Sequence, residues 1–245
     1  MPPCATFSIE RVSSWPSQLT GLFTRQVCQT RSVTRLVLAS TSPARLRVLR
    51  DAGIEPTTIA PLVDEDAVED RARAMGLITN TEHVVHVLAK AKAEAVAAMP
   101  ESAGALILGC DSQLDLDGES LGKPHDPAVA IERWKRLRGN TGVLYSGHWL
   151  IDNRNPVAGQ LPPAVGVVSG TTVHFADISD AEIEAYVATG EPLKVAGAFT
   201  IDGLGGAFLT RIEGDAHTVI GISLSALREL CQLLKVEYTT LWNRL

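Results

Sequence analysis

The chain has 245 residues, 45% hydrophobic and 20% charged, which is enough to bury a core and excludes wholesale disorder. Lys and Arg number 22 against 28 Asp and Glu, a formal charge of −6, so a nucleic acid polymer held by phosphate neutralisation is a poor partner. A few placed cations can still hold a small phosphorylated ligand against that overall sign.

No stretch reaches the ~20 apolar residues of a membrane span. Cys4, Cys28, Cys110 and Cys231 are scattered without ligand-like spacing, so reduced thiols in a cytoplasmic protein are expected. Residues 1–34 lack sustained periodicity and carry Arg11, Arg25 and Arg31 against a single acid, Glu10. A transit peptide, a frayed tail and a mis-set start near Val33 all fit, and no function is assigned there. Residues 35–245 are expected to hold the functional domain.

Leu36 to Ala39 reads as a short buried strand. Ser42 then suits an N-cap and Pro43 a first helical position, with Leu46, Leu49 and Ala52 at helical spacing and Gly53 as the stop. Asp64, Glu65 and Asp66 lie in a polar segment. A helix is expected from about Thr81 to Ala98, with Val84, Leu88, Ala91 and Ala95 as its buried stripe. His83 and His86 fall on its polar face and are expected in solvent. Ala105 to Cys110 is a second apolar strand ending at Asp111. Leu114 to Leu121 reads as a hairpin around Asp117-Gly118. Asp126-Pro127 opens a helix that Gly139 closes, strands run near Val143 to Ile151 and Val165 to Phe175, and Ser179 with Glu182 forms a capping box. The glycine-rich stretch 197–206 leads to strands, and Leu224 to Leu234 is a last amphipathic helix. Strands and helices mixed in this way specify an α/β or α+β architecture with a mixed sheet.

Four segments carry candidate chemistry. The turn from Ser40 to Arg45 aims free N–H groups and a helix dipole at one point. Ser40 and Ser42 add donors there, and Arg45 adds a fork for phosphate. The bland alternative is a well-capped helix with a solvated Arg. Lys92 falls within an apolar stripe, where it either snorkels or presents a cation to a cleft. Asp111 ends a buried run, where a carboxylate is costly unless it is paired or on a metal. Lys123 follows the hairpin, whose register sets it opposite Ser112, and a twist or bulge at Gly122-Lys123-Pro124 is needed to turn it toward Asp111. Oxygen ligands of this kind suit Mg²⁺. Glu65 is a weak second candidate, since an acidic cluster is more often a solvated loop. No P-loop, dinucleotide fingerprint or serine elbow is present.

The segments L-V-L-A-S-T-S-P-A-R (36–45), V-D-E-D (63–66), L-A-K-A-K-A (88–93), I-L-G-C-D-S (107–112), L-G-K-P-H-D (121–126), G-E-P (190–192) and A-G-A-F-T-I-D-G (196–203) resemble in order and spacing the Maf (septum formation) family of nucleoside triphosphate pyrophosphatases. The resemblance runs from about residue 35 to the C-terminus. It implies a mixed-sheet fold of the Maf/ITPase kind, with two lobes around a deep cleft. It implies hydrolysis of a nucleoside triphosphate at the α–β phosphoanhydride with a divalent cation, Mg²⁺ or Mn²⁺, and it leaves a homodimer open. By match, Asp111 is the catalytic acid and a metal ligand, Glu65 a second metal carboxylate, and Arg45, Lys92 and Lys123 the basic cleft residues.

Three positions depart from the dTTP/UTP-selective branch. Ala44 stands where the family as a whole has its first motif Arg, and Ser112 and Asp202 stand where that branch has a Thr and a Gln, so the branch's base preference does not carry over. A carboxylate at 202 would favour an amino group over a carbonyl-rich base edge. Two rivals stand beside this reading. One is a haloacid-dehalogenase-type phosphatase with Asp115 as nucleophile, although the hydrophobic strand that should precede its D-x-D-G is missing. The other is a nucleotide-binding regulator of cell division with little catalysis.

Overall fold

The computed structural model describes residues 33–157 and 159–244, so the expectations for residues 1–32 lie outside it. β1 (Leu36–Ala39) is buried along its whole length. It pairs in parallel with the short β2 (Thr57–Thr58) on one side and with β3 (Ala105–Leu116) on the other. β5 (Thr141–Asn153), β6 (Ala164–Phe175) and β7 (Leu209–Glu213) continue antiparallel, and β4 (Glu119–Leu121) pairs with the far end of β3. The result is a seven-stranded mixed sheet in the order β2-β1-β3-β5-β6-β7, flanked by α1 (Pro43–Asp51), α2 (Glu65–Ala74), α3 (Thr81–Ala97), α4 (Pro127–Leu137), α5 (Asp180–Ala188), α6 (Ala216–Ile220) and α7 (Leu224–Leu233). The expected mixed α/β architecture is therefore present.

Three local expectations change. Asp111 does not end a strand, because β3 runs on for five further residues to Leu116. The acidic cluster is not a loop. Asp64 caps α2 by accepting from the Ala67 N–H at 3.0 Å, and Glu65 and Asp66 sit in the first turn, where the dipole favours acids. His86 is half-buried, edge-on to Trp149 with ring centroids 5.2 Å apart, and burial followed by the nearby Lys90 charge lowers its pKa. His83 is exposed, as the polar-face reading expects. The hairpin forms with Leu116 opposite Glu119, and Asp117 and Gly118 take φ of 54° and 82°, the left-handed pair of a two-residue turn.

Alternation along β3 sorts its residues between two cores. Leu106, Leu108 and Cys110 pack with Leu227, Leu230 and Cys231 of α7. Ala105 and Ile107 pack on the opposite face with Ala93 and Val96 of α3. Burial raises the Cys110 thiol to about 11, which makes it a packing group rather than a nucleophile. A third core around Trp134 joins α4, α5 and β6, and the indole N–H donates to the Ala198 carbonyl at 2.7 Å.

α3 lies unusually close to the sheet. A Cβ at Gly109 would stand 2.2 Å from the Ala89 carbonyl oxygen, and one at Gly147 would stand 2.2 Å from that of Val85. Both contacts are with backbone, which cannot swing aside. Gly147→Ala is therefore expected to destabilise the fold by about 1–3 kcal/mol, as overpacking does, read as a lower urea midpoint at unchanged slope.

His148 is fully buried on β5, and its Nε2 accepts the Ser223 N–H at 2.8 Å. Burial, then the Arg45 charge, pushes its pKa from 6.5 down to about 4. The unfolded chain takes up a proton there that the folded chain refuses until lower pH. The stability linked to this group is thus complete above pH 6.5 and falls as pH drops toward 4, by up to roughly 3 kcal/mol. Urea unfolding at pH 7 and pH 4.5 should show this loss, and His148→Gln should show a smaller difference between the two pH values than the parent.

Candidate active site

The site is a gap in the sheet. β1 leaves β3 at Gly109, and β4 joins it only at Leu114. Residues 110–113 therefore have a neighbouring strand on the β5 side alone. A cavity of about 750 Å³ opens there, lined by residues 39–45, Glu65, Lys92, Asp111, Ser112, Lys123 and the 191–203 segment among others.

Asp111 stands on the α3 face of β3, two residues beyond Gly109. The close approach of α3 brings the Lys92 ammonium to 2.6 Å from Asp111 Oδ1. Both side chains are under 10% exposed. Lys92 also reaches Glu65 Oε1 at 2.8 Å, the first residue of α2. One cation thus faces two carboxylates, a local charge of −1. Asp111 Oδ2 is buried without a hydrogen-bond partner. An unsatisfied buried carboxylate oxygen is costly, and at a cavity wall it marks where a ligand group belongs.

The opposite wall is the start of α1. Ser42 caps it by accepting from the Arg45 N–H at 3.4 Å, Pro43 follows, and no acid sits in the first turn. Its positive end faces the cavity uncompensated. Ser40 is buried, and its Oγ accepts from the Ser42 N–H at 3.1 Å.

Arg45 differs from the expected phosphate fork. Nε donates to the Gly221 carbonyl at 2.8 Å, Nη1 to the Cys110 carbonyl at 3.0 Å and to Ser40 Oγ at 3.2 Å, and Nη2 to Ser112 Oγ at 3.0 Å. The guanidinium braces the gap, satisfying a carbonyl next to Asp111, and keeps little donor capacity for a ligand. Ser112 lies on the face of β3 opposite Asp111, with Arg45, and shares a second hydrogen bond with Ser146 at 2.7 Å. Ala44 lines the cavity without a polar group.

Lys123 comes into the cavity because the ladder stops at Leu121. Gly122 leaves the strand, and its carbonyl accepts from the Gly197 N–H and from Arg133. The turn away from regular pairing thus occurs where the sequence required one. Lys123 is exposed and has no ion-pair partner among the described residues, and Lys194 on the same cavity wall is alike.

Asp202 lines the cavity paired with Arg47 of α1. Sequence reasoning passed over Arg47, Lys194 and Glu191. Glu191 accepts from Tyr186 Oη at 3.0 Å, Thr200 Oγ1 at 2.5 Å and the N–H groups of Leu204 and Gly205, both at 3.0 Å. Burial pushes this carboxyl up, but the hydrogen bonds together outweigh it and hold its pKa below the ordinary value. The G-E-P segment was the available signal for it. Asp115 is not a poised nucleophile. Its two oxygens accept from Thr81 Oγ1 at 2.6 Å and from the Gly118 N–H at 2.9 Å, so it ties the hairpin to the start of α3.

Among the described residues no cluster of three or more His, Cys, Asp and Glu side chains could hold a metal ion. Two carboxylates with a buried, unsatisfied oxygen do fit Mg²⁺, which commonly takes one or two carboxylates and completes its shell with phosphate oxygens and water. Among the same residues no helix is long and apolar enough to cross a membrane.

Known proteins place the chain in a family. The family model described as Maf-like protein matches residues 35–234. Among similar proteins, one from Leifsonia xyli subsp. xyli is 53% identical over 212 residues, covering 86% of this chain and 97% of its own. One from Salinispora tropica is 52% identical, covering 86% and 88%, and one from Nocardia farcinica is 51% identical, covering 85% and 96%. All three are named nucleoside triphosphate pyrophosphatase. With the family's motifs gathered around one cavity, this chain belongs to the Maf family.

Proposed function

We propose that the chain hydrolyses nucleoside triphosphates to the monophosphate and pyrophosphate, the activity for which its relatives are named. The observation that carries this reading is Asp111, held by Lys92 through one oxygen and unsatisfied at the other, on the wall of a cavity that Lys123, Lys194 and the start of α1 also line.

The triphosphate lies between the start of α1 and Lys123. The Ala44 N–H in the first turn of α1 and the ammonium groups of Lys123 and Lys194 supply donors to phosphate oxygens. Lys92 anchors Asp111 Oδ1 and so aims Oδ2 at water. That water attacks the α-phosphorus in line, Oδ2 takes its proton, the bond from the α-phosphorus to the bridging oxygen breaks, and pyrophosphate departs. Glu65 and Asp111 would hold the divalent cation, which would neutralise phosphate charge when bound. Arg45 acts through Ser40, Ser112 and the Cys110 carbonyl, holding the gap open at its shape. Ala44, Ser112 and Asp202 bear on base choice.

Incubation with a panel of nucleoside triphosphates and Mg²⁺ or Mn²⁺, with products resolved by chromatography, tests the reaction. Monophosphate plus pyrophosphate is expected. Diphosphate plus phosphate would overturn the assignment, and tight binding without turnover would make the chain a nucleotide-binding regulator. Asp111→Asn keeps the side-chain shape and leaves Lys92 its Glu65 partner, so a single cooperative thermal transition at a lower midpoint is expected, with kcat lowered by roughly 10²–10⁴-fold. Near-parental turnover in that variant would remove Asp111 from the mechanism.

A further inference from the structure

The cavity has a second charged end. Arg47 and Asp202 meet there, joining α1 to the 199–203 segment, and both line the cavity wall. Ala44 leaves its own position on α1 without a cation. Arg47 stands three residues on, one helical turn along the same face, and restores a guanidinium to that wall. Asp202 gives Arg47 only Oδ2, and no partner engages its Oδ1 among the described residues. The side chains are 55% and 30% exposed, so the pair contributes little to folding and can exchange water for a ligand. Ile201 precedes Asp202 in the chain, and Val219 and Ile220 also line the cavity, an apolar surface that suits the face of a flat ring.

A carboxylate accepts hydrogen bonds and donates none, whereas a guanidinium only donates. Side by side they match a base edge with donors next to an acceptor. Guanine alone among the common bases offers two adjacent donors, N1–H and the 2-amino group, with O6 beyond them. Uracil and thymine set one donor between two carbonyls, so their second carbonyl would face the carboxylate.

We infer that Arg47 and Asp202 together read the base, and that they select a guanine-type edge, Asp202 taking the two donors and Arg47 meeting O6. This rests on the pyrophosphatase reading above for the placement of the triphosphate at the Asp111 end.

The test compares kcat/KM for GTP, ITP and UTP, since ITP differs from GTP only in lacking the 2-amino group. The parent should favour GTP over ITP by roughly tenfold, and over UTP by more. Asp202→Asn should collapse the GTP-to-ITP ratio toward one. Arg47→Met should lower GTP and ITP together relative to UTP. Both effects should fall mainly on KM, because the pair stands apart from Asp111. Equal use of GTP and ITP by the parent, or an unchanged ratio in Asp202→Asn, overturns the inference. Absence of pyrophosphate from every nucleotide would sink the reaction instead. In that case GTP and ITP binding to the parent, titrated calorimetrically, still decides the base reading: tighter GTP supports it and equal affinities overturn it.

Discussion

The distance between α3 and the sheet governs this site. A lysine ammonium reaches a buried strand carboxylate only if the two backbones come close, and ordinary side chains between them would prevent that. Gly109 and Gly147 remove those side chains where Ala89 and Val85 press against β3 and β5. Two residues beyond Gly109 on the same face, Asp111 then meets Lys92 at 2.6 Å. Removing either partner from such a buried pair leaves an uncompensated charge. The close approach and the ion pair therefore support one another, and Glu65 joins because α2 begins where Lys92 ends.

The second dependence is on where strands stop. β1 ends before Cys110 and β4 begins after Gln113. A sheet edge left open inside a core exposes backbone groups that need partners. Arg45 supplies one by donating to the Cys110 carbonyl. Its fork goes to holding the gap, and in the proposed binding mode the phosphates are left to the start of α1 and to Lys123 and Lys194, which have no acidic partners among the described residues.

Much of this was legible in the sequence, for identifiable reasons. Ser42, Pro43, Asp126 and the Ser179–Glu182 box announced their helices through local capping chemistry. Asp117-Gly118 fixed a hairpin whose register came out as expected. Lys92 stood out because a cation in an apolar stripe is anomalous. What escaped was non-local. Nothing near Asp111 says that β3 continues past it, since the chain turns polar there while β5 goes on pairing. Asp64-Glu65-Asp66 looked like a loop because a cap and two dipole-favoured acids have a loop's composition. Arg47 and Glu191 gain meaning only from partners 155 and up to 14 residues away. Arg45 lines the cavity, but its hydrogen bonds depend on carbonyls that only the fold delivers.

The alternation of β3 has a further consequence. Asp111 and Ser112 are adjacent in the chain yet stand on opposite faces, one toward α3 and Lys92, the other toward Arg45 and Ser146. The Asp111 carboxylate and the bracing group therefore answer to different packing environments. Substitutions in α6 or at Ser146, which holds Ser112 and the Thr218 carbonyl, act on the Ser112 wall of the cavity without touching the carboxylate, and changes along α3 act on the carboxylate without touching that wall. A strand of this kind lets a lineage retune what it accepts while keeping what it does, two traits carried by neighbouring codons but separated by the thickness of a sheet.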